Sequence, residues 1–459
     1  MAGMSVSTGL ISGIDYSTMI SQLMRVEANP QTLLKNQLSA SRSDAAAYRA
    51  VNTRFDALRT AAAALTADTA WTSTKATSSI GSVTATAGAN ALPGSLTFAV
   101  TALAATHSEI SNATWASTDT LFGATSFSVT SGGTTTSVPI ATTNAGGPTL
   151  ADAVASINAS KAGVTATAVR ITDGQYRLQV TATNSGAAAD FHIGDDTTFK
   201  TVTQGVDAQL SVGDGPGAYS VTSATNTFTG LMADTTITVS KKGDSGTVSV
   251  VKDPDAVATK VQNMVNAANS LLESISSYTD ADSAAAVLKG DSTLRGLANQ
   301  ILDVVSSGFG GTSTASFGLQ LTKSGTLTFD KAAFTAKLAT DPALVRDTLT
   351  KKTVVSAGTD GITGNADDVT TPVGLAAKIE AMARSAADTT TGSLTLLAAS
   401  QDSLATDLQA RIDAWDIRLA LREQSLTRQF NAMETALSTL QNQASWLSAQ
   451  IAGLPSWSS

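Results

Sequence analysis

Apolar residues recur every three or four positions at both ends of this chain, while the stretch between is rich in Ser, Thr, Ala and Gly. The C-terminal stripe runs from Leu404 through Leu408, Ile412, Trp415, Leu419, Leu426, Phe430, Met433, Leu437, Leu440, Ala444, Leu447 and Ile451. The N-terminal stripe runs through Leu34, Leu38, Ala45, Tyr48, Phe55, Leu58, Ala62 and Leu65. Such spacing puts one narrow apolar line on one side of a helix, which suits a coiled coil more than a globular core. A helix over 394–452 extends on the order of 85 Å at 1.5 Å per residue, longer than an ordinary helical hairpin. Arg411, Asp413, Arg418, Arg422, Glu423 and Arg428 stand beside the stripe as charges flank a coiled-coil seam. The stripes are therefore expected to work between molecules. The alternative is an intramolecular hairpin with no partner.

Composition narrows the partners. The 459 residues suffice for about three domains. Charged residues are only 14 % and aromatics 5 %, and much of the apolar content is Ala, so slender modules are expected rather than one thick core. A net charge of −8 with no basic stripe argues against nucleic acid. There is no cysteine, which excludes disulfides and thiolate metal sites and suits a chain that moves from reducing to oxidising surroundings. His107 and His192 are the two histidines, and they make no zinc pattern. No cofactor and no metal site are expected. Residues 1–12 lack the features of a cleaved signal peptide, and no apolar run approaches the ~20 residues of a membrane span.

Periodicity divides the chain. Asp15 or Ser17 is placed to cap a first helix carrying Met19, Ile20, Leu23 and Met24, and Asn29-Pro30 breaks it before a longer helix to about Thr66. From Trp71 the period changes to two. Strands are expected at 79–86, 94–103, 126–130, 136–140, 164–171, 176–183, 191–193, 209–212, 219–222, 235–239 and 247–251, with a helix at 149–160. Helical spacing resumes after Pro254, with a small hairpin at 319–329 and a loop at 358–372. The fold class is α+β: a coiled-coil-like helical leg formed by both termini, bearing a β-rich head of two inserted domains. The expected domains are 1–40 plus 415–459, a terminal helical segment; 41–75 plus 252–414, a helical leg; 76–105 plus 228–251, an inner head; and 106–227, an outer head.

Three segments carry chemical letters. Gly243-Asp244-Ser245-Gly246 matches the nucleophile sequence of trypsin-like proteases, but no histidine lies in a partner motif and the segment reads as a turn between strands. Gly213-Asp214-Gly215-Pro216-Gly217 is similar to a dinucleotide loop but lacks the third glycine and leads into a strand. Asp360, Asn365, Asp367 and Asp368 suit Ca²⁺ by ligand type, yet they fit no EF-hand spacing, and a solvated loop is expected. No catalytic constellation emerges, and the chain is read as a non-enzyme.

Several segments together resemble the flagellar filament cap, or hook-associated protein 2, family. They are Gly9-Leu10-Ile11-Ser12-Gly13-Ile14-Asp15, Ile20-Ser21-Gln22-Leu23-Met24 and Glu27-Ala28-Asn29-Pro30; Pro93 to Ala104; Phe228-Thr229-Gly230-Leu231 with 248–272; Gly290 to Arg295; Gly325 to Asp330; and Arg422 to Leu447. Thr149 to Thr183, with Ile157-Asn158-Ala159 and Tyr176-Arg177-Leu178, is similar to the flagellin IN motif. The resemblance implies a secreted, extracellular protein at the distal tip of the bacterial flagellum, exported through the flagellar channel. It implies a homo-oligomeric ring of roughly four to six copies that promotes folding and insertion of flagellin and prevents its loss. Flagellin, the hook–filament junction protein and a cytosolic export chaperone are the implied partners. The partner-binding seam is expected at Leu10, Ile14, Ile20, Leu23, Leu34, Leu38, Leu408, Ile412, Trp415, Leu419, Leu426, Phe430, Met433, Leu437, Leu440 and Leu447. Competing readings are a flagellin-like filament or hook–filament junction subunit, and a tip adhesin that binds host glycans.

Overall fold

The computed structural model describes residues 15–194, 197–308, 313–356 and 369–452. Helices α1 (Tyr16–Glu27) and α2 (Asn29–Thr66) are followed by β1 (Thr74–Ser78), β2 (Val83–Ala87), β3 (Gly94–Ala102), β4 (Thr106–Ser111), β5 (Ser126–Ser131) and β6 (Thr134–Pro139). Next come α3 (Leu150–Ala159), β7 (Val164–Thr172), β8 (Gln175–Ser185), β9 (Phe191–His192), β10 (Phe199–Thr203), β11 (Ala208–Val212), β12 (Tyr219–Ser223), β13 (Thr227–Thr229), β14 (Thr235–Val239) and β15 (Ser245–Lys252). Then come α4 (Pro254–Thr279), α5 (Ser292–Ser306), β16 (Leu319–Leu321), β17 (Leu327–Phe329), α6 (Lys331–Thr340), α7 (Pro342–Thr350), β18 (Lys352–Ser356), β19 (Val369–Pro372), α8 (Leu375–Ala387) and α9 (Ser393–Ala452). The chain forms two units, Met1–Ala67 with Ala258–Ser459, and Asp68–Val257.

In the helical unit, α1 and α2 from the first part of the sequence meet α8 and α9 from the last. Pro30 occupies the first turn of α2, where its missing N–H is no loss. The buried face of α2 reads Leu34, Leu38, Ala45, Tyr48, Val51, Phe55, Leu58, Ala62 and Leu65, and it packs on α8 and α9. Small residues of α8 (Ala376, Ala377, Ala383 and Ala386) let these helices approach closely. The α8–α9 turn is tight. A Cβ on Gly392 would lie 2.5 Å from the Asp388 backbone. Asp388 holds that turn by accepting the backbone N–H of Thr391 and Thr390, which with the Thr391 hydroxyl lowers its carboxyl to about 2.

The β-rich unit contains two cores. The first combines a five-stranded sheet of order β1-β15-β3-β11-β12 with a three-stranded sheet β13-β14-β2 around Phe98, Val100, Leu210, Phe228, Ile237 and Val248. The second combines β10-β4-β8-β7, β6-β5-β9 and α3 around Phe127, Val129, Leu150, Ile157, Leu178, Val180 and Phe191. A reciprocal capping box starts α3: the Thr149 hydroxyl accepts Asp152 N–H and the Asp152 carboxylate accepts Thr149 N–H. Gly174, at φ 69°, makes the turn between β7 and β8.

Residues 208–223, expected in the outer head, instead belong to the inner sheet. β11 runs antiparallel to both β3 and β12, with Val212 opposite Phe98. Alternation of Ala208, Leu210 and Val212 with polar neighbours fits either core, and the choice is made by pairing across more than a hundred residues of chain. β4 and β10 were not expected, because their sequences THSEIS and FKTVT do not alternate. β19 replaces the end of the loop expected at 358–372 and pairs with β18, which precedes it, and the loop's Asp360, Asn365, Asp367 and Asp368 lie outside the described residues. Gly243–Gly246 is a turn entering β15, with Asp244 accepting the Ser82 hydroxyl at 2.6 Å and pairing with Lys241 at 3.1 Å. Gly213–Gly217 joins β11 to β12.

Candidate assembly surface

One heptad line organises α9. Every seventh residue from Ala405 is apolar: Ile412, Leu419, Leu426, Met433, Leu440 and Leu447. A seven-residue repeat keeps one seam facing a partner helix. The first half of that seam is filled by the chain itself. Leu34 and Leu38 of α2 pack with Ala405, Leu408 and Ile412, and Trp415 closes the cluster. Polar contacts fix the register beside it. Gln31 Nε2 donates to Asp416 Oδ1 at 2.5 Å, the Ser41 hydroxyl donates to Gln401 O at 2.8 Å, and Arg49 pairs with Asp402. The Arg418 guanidinium lies 4.6 Å from the Trp415 ring centre.

Helix α1 continues the cover for a short distance. Asp15 caps it by accepting the Thr18 hydroxyl and backbone N–H, and these bonds bring its carboxyl down to about 2. Tyr16 is buried with its ring 5.0 Å from Phe430, and Glu27 pairs with Arg422 at 3.3 Å. Leu426 is the last buried residue of α9.

Beyond it the same seam opens. Exposure rises from 3 % at Ile412 and 8 % at Leu426 to 40 % at Met433, 59 % at Leu440 and 54 % at Leu447. Residues 435–459 contain no ionisable side chain. Among the described residues nothing covers this apolar, uncharged line, and a line of that kind suits packing against another helix.

The expected seam residues therefore separate. Leu34, Leu38, Leu408 and Ile412 are buried against one another within the chain, between α2 and α9. Leu426 is buried, while Trp415, Leu419, Phe430, Leu437 and Ile20 are half-buried. Leu23, Met433, Leu440 and Leu447 are exposed. Leu10 and Ile14 lie outside the described residues. Ile417, Leu421 and Trp446 are also exposed and were missed, because they fall off the seam positions; the four-residue spacing of Ile417 and Leu421 was the available signal. Among the described residues, no group of three or more His, Cys, Asp or Glu is placed to hold a metal ion, and no helix is long and apolar enough to cross a membrane.

A chain whose ends pair as helices, whose middle is β-rich and whose last helix outruns its cover is an assembly subunit in class. Comparison narrows the class. The pattern described as flagellar hook-associated protein 2 C-terminus matches residues 205–442, the corresponding N-terminus pattern matches 12–107, and the flagellin hook IN motif matches 126–184. The chain belongs to the flagellar hook-associated protein 2 family. Flagellar hook-associated protein 2 of Escherichia coli K12 is 27 % identical over 380 residues, covering 74 % of this chain and 79 % of that protein. The lateral flagellar hook-associated protein 2 of Vibrio parahaemolyticus is 27 % identical over 195 residues, 39 % of this chain and 44 % of that one. The fold is similar to the crystal structure of the D1-D2-D3 domains of the Escherichia coli flagellar cap protein FliD. That match has a TM-score of 0.54 at 24 % identity and covers 78 % of this chain and 99 % of that one.

Proposed function

We propose that this chain is a structural, non-catalytic cap of the bacterial flagellar filament. It acts as a secreted homo-oligomeric ring at the distal tip, where it promotes folding and insertion of exported flagellin and retains it. Membership of the hook-associated protein 2 family supports this role. The single observation that carries the mechanism is the heptad of α9, buried as far as Leu426 and open from Met433 to Leu447. The filled half fixes the helical unit, and the open half supplies contacts to flagellin, to the hook–filament junction protein and, before export, to a cytosolic chaperone. Those contacts are apolar and short, so they form and release without breaking an ion pair. The terminal helical segment, 1–40 plus 415–459, is the contacting segment in this reading, and the β-rich region forms the plate of a ring of roughly four to six copies.

The test is complementation of a flagellated strain lacking its cap protein. Wild-type chain is expected to restore filaments of normal length. Leu440→Ser with Leu447→Ser is expected to leave the protein folded and exported while flagellin accumulates in the medium. Normal motility from the double variant sinks the contact assignment. Native mass spectrometry of the purified chain separates the readings further, since closed small rings support a cap and long polymers indicate a filament subunit.

A further inference from the structure

At one edge of the outer core, a side chain of α3 does what a neighbouring strand would do. β7 is the last strand on its side of the sheet β10-β4-β8-β7. Successive residues of an antiparallel strand turn their backbone N–H and C=O to opposite sides. Thr183 N–H donates to Gly163 O at 2.9 Å, and Thr165 and Thr167 stand opposite Thr181 and Gln179, so the odd positions of β7 bond to β8. The even positions Val164, Ala166, Ala168 and Arg170 turn theirs outward, past the end of the sheet. At Ala166 both outward groups are taken. Asn158 Oδ1 accepts the Ala166 N–H at 2.7 Å, and Asn158 Nδ2 donates to Ala166 O at 3.0 Å. Asn158 sits in the last turn of α3, held in place by its buried neighbour Ile157. Both residues lie in the segment that matches the flagellin hook IN motif.

An amide side chain carries one acceptor and one donor group, the same pair that an adjoining residue of a strand presents. We propose that Asn158 guards the β7 edge: it stands in for a strand at Ala166 and so keeps β7 from pairing, antiparallel, with β7 of a second copy of this chain. An open strand edge is a template for another strand unless charge, a bulge or cover blunts it. The opposite edge of the sheet has two such devices. β10 carries Lys200, and its register breaks between Thr201 and Thr203. β7 is nine residues long and has no charged side chain from Val164 to Val169. Arg170, the first, is paired with Asp173 at 2.8 Å. A second copy is the occupant that fits, because two identical edges related by a two-fold axis through Ala166 offer each other matching rows of donors and acceptors. The guard stands at the middle of that row, where it interrupts any antiparallel pairing centred there.

Sedimentation velocity over a concentration series, with residue-resolved amide hydrogen exchange, tests this on the full chain as wild type, Asn158→Ala and Asn158→Ala with Thr167→Lys. Asn158→Ala is expected to add a self-association that sets in at a concentration about tenfold lower than any the wild type shows. In the associated species the amides of Val164, Ala168 and Arg170 are expected to gain protection, because a second strand now accepts them. Thr167 is exposed, so Thr167→Lys leaves the core untouched, sets like charges against each other across the new pairing and is expected to return association to the wild-type level. Asn158→Gln, which keeps the amide but sets it one methylene out of place, is expected to associate as the alanine variant does, and it carries the test should Asn158→Ala fail to fold. A side chain that only anchored α3 would change the melting temperature and leave association alone. A folded Asn158 variant that associates no more than wild type, association without protection of the three amides, or association that survives Thr167→Lys overturns the guard.

Discussion

Tyr48 shows how much a single side chain on a regular stripe can hold back. Its ring belongs to the buried face of α2, and its hydroxyl donates to Asp291 Oδ2 at 2.6 Å. The other oxygen of Asp291 accepts Leu294 N–H and caps α5. Burial, then the bond to Asp291, pushes the Tyr48 phenol well above its ordinary value. Tyr48→Phe leaves that carboxylate oxygen unpaired and is expected to cost about 1–2 kcal/mol in chemical denaturation. Asp44 is close by. Burial, then the charge of Asp291, raises its carboxyl. A carboxyl raised in the folded state contributes stability that is full below its unfolded value and lost as pH rises through the folded one. At neutral pH Asp44 is therefore a burden. Asp44→Asn is expected to raise the melting temperature at about pH 7 by less than ~1 kcal/mol equivalent, allowing for solvent screening, with no gain at about pH 3. An equal gain at both values rules out charge as the cause. The apolar role of Tyr48 was legible in the spacing of α2. Its hydroxyl partner, 243 residues away, was not.

Among the elements, α9 separates stability from assembly along one repeat. Leu408→Ala removes a buried side chain from the intramolecular seam and is expected to destabilise the helical unit by about 2–5 kcal/mol. Leu440→Ala lies on the same seam but is 59 % exposed, so it is expected to change monomer stability by no more than about 0.5 kcal/mol while weakening assembly. Denaturant titration and analytical centrifugation read the two effects apart. Because 435–452 carries no charged side chain, contacts made there are expected to hold equally between about 0.05 and 0.5 M salt. Helices were readable to within a few residues: α5 at Ser292–Ser306, and α9 beginning at Ser393 rather than Leu394. Their signal is local and repeats every turn. β4 was unreadable because it buries His107, Ser108, Glu109 and Ser111, polar side chains held by partners distant in sequence.

At the scale of the molecule, the two units have separate cores, so they are expected to unfold separately. The fragment Asp68–Val257 is expected to fold alone, with a β-rich circular dichroism spectrum and one cooperative transition. Leu408→Ala in the full chain should lower one transition and leave the one shared with the fragment in place. A single merged transition shifted by that change counts against independence. The return of both ends to one helical unit was legible because two stripes of matching period imply each other. The membership of 208–223 was not, since a five-residue alternating strand carries no address.

The graded burial along α9 makes its grip peelable. In the proposed contact each exposed rung past Leu426 would add a small apolar share, while the lower rungs are anchored to the molecule's own α2. A neighbour can be let go rung by rung from the loose end while the base stays fast. Such a fastening slips forward in small increments instead of snapping, and it re-forms with the next identical surface it meets.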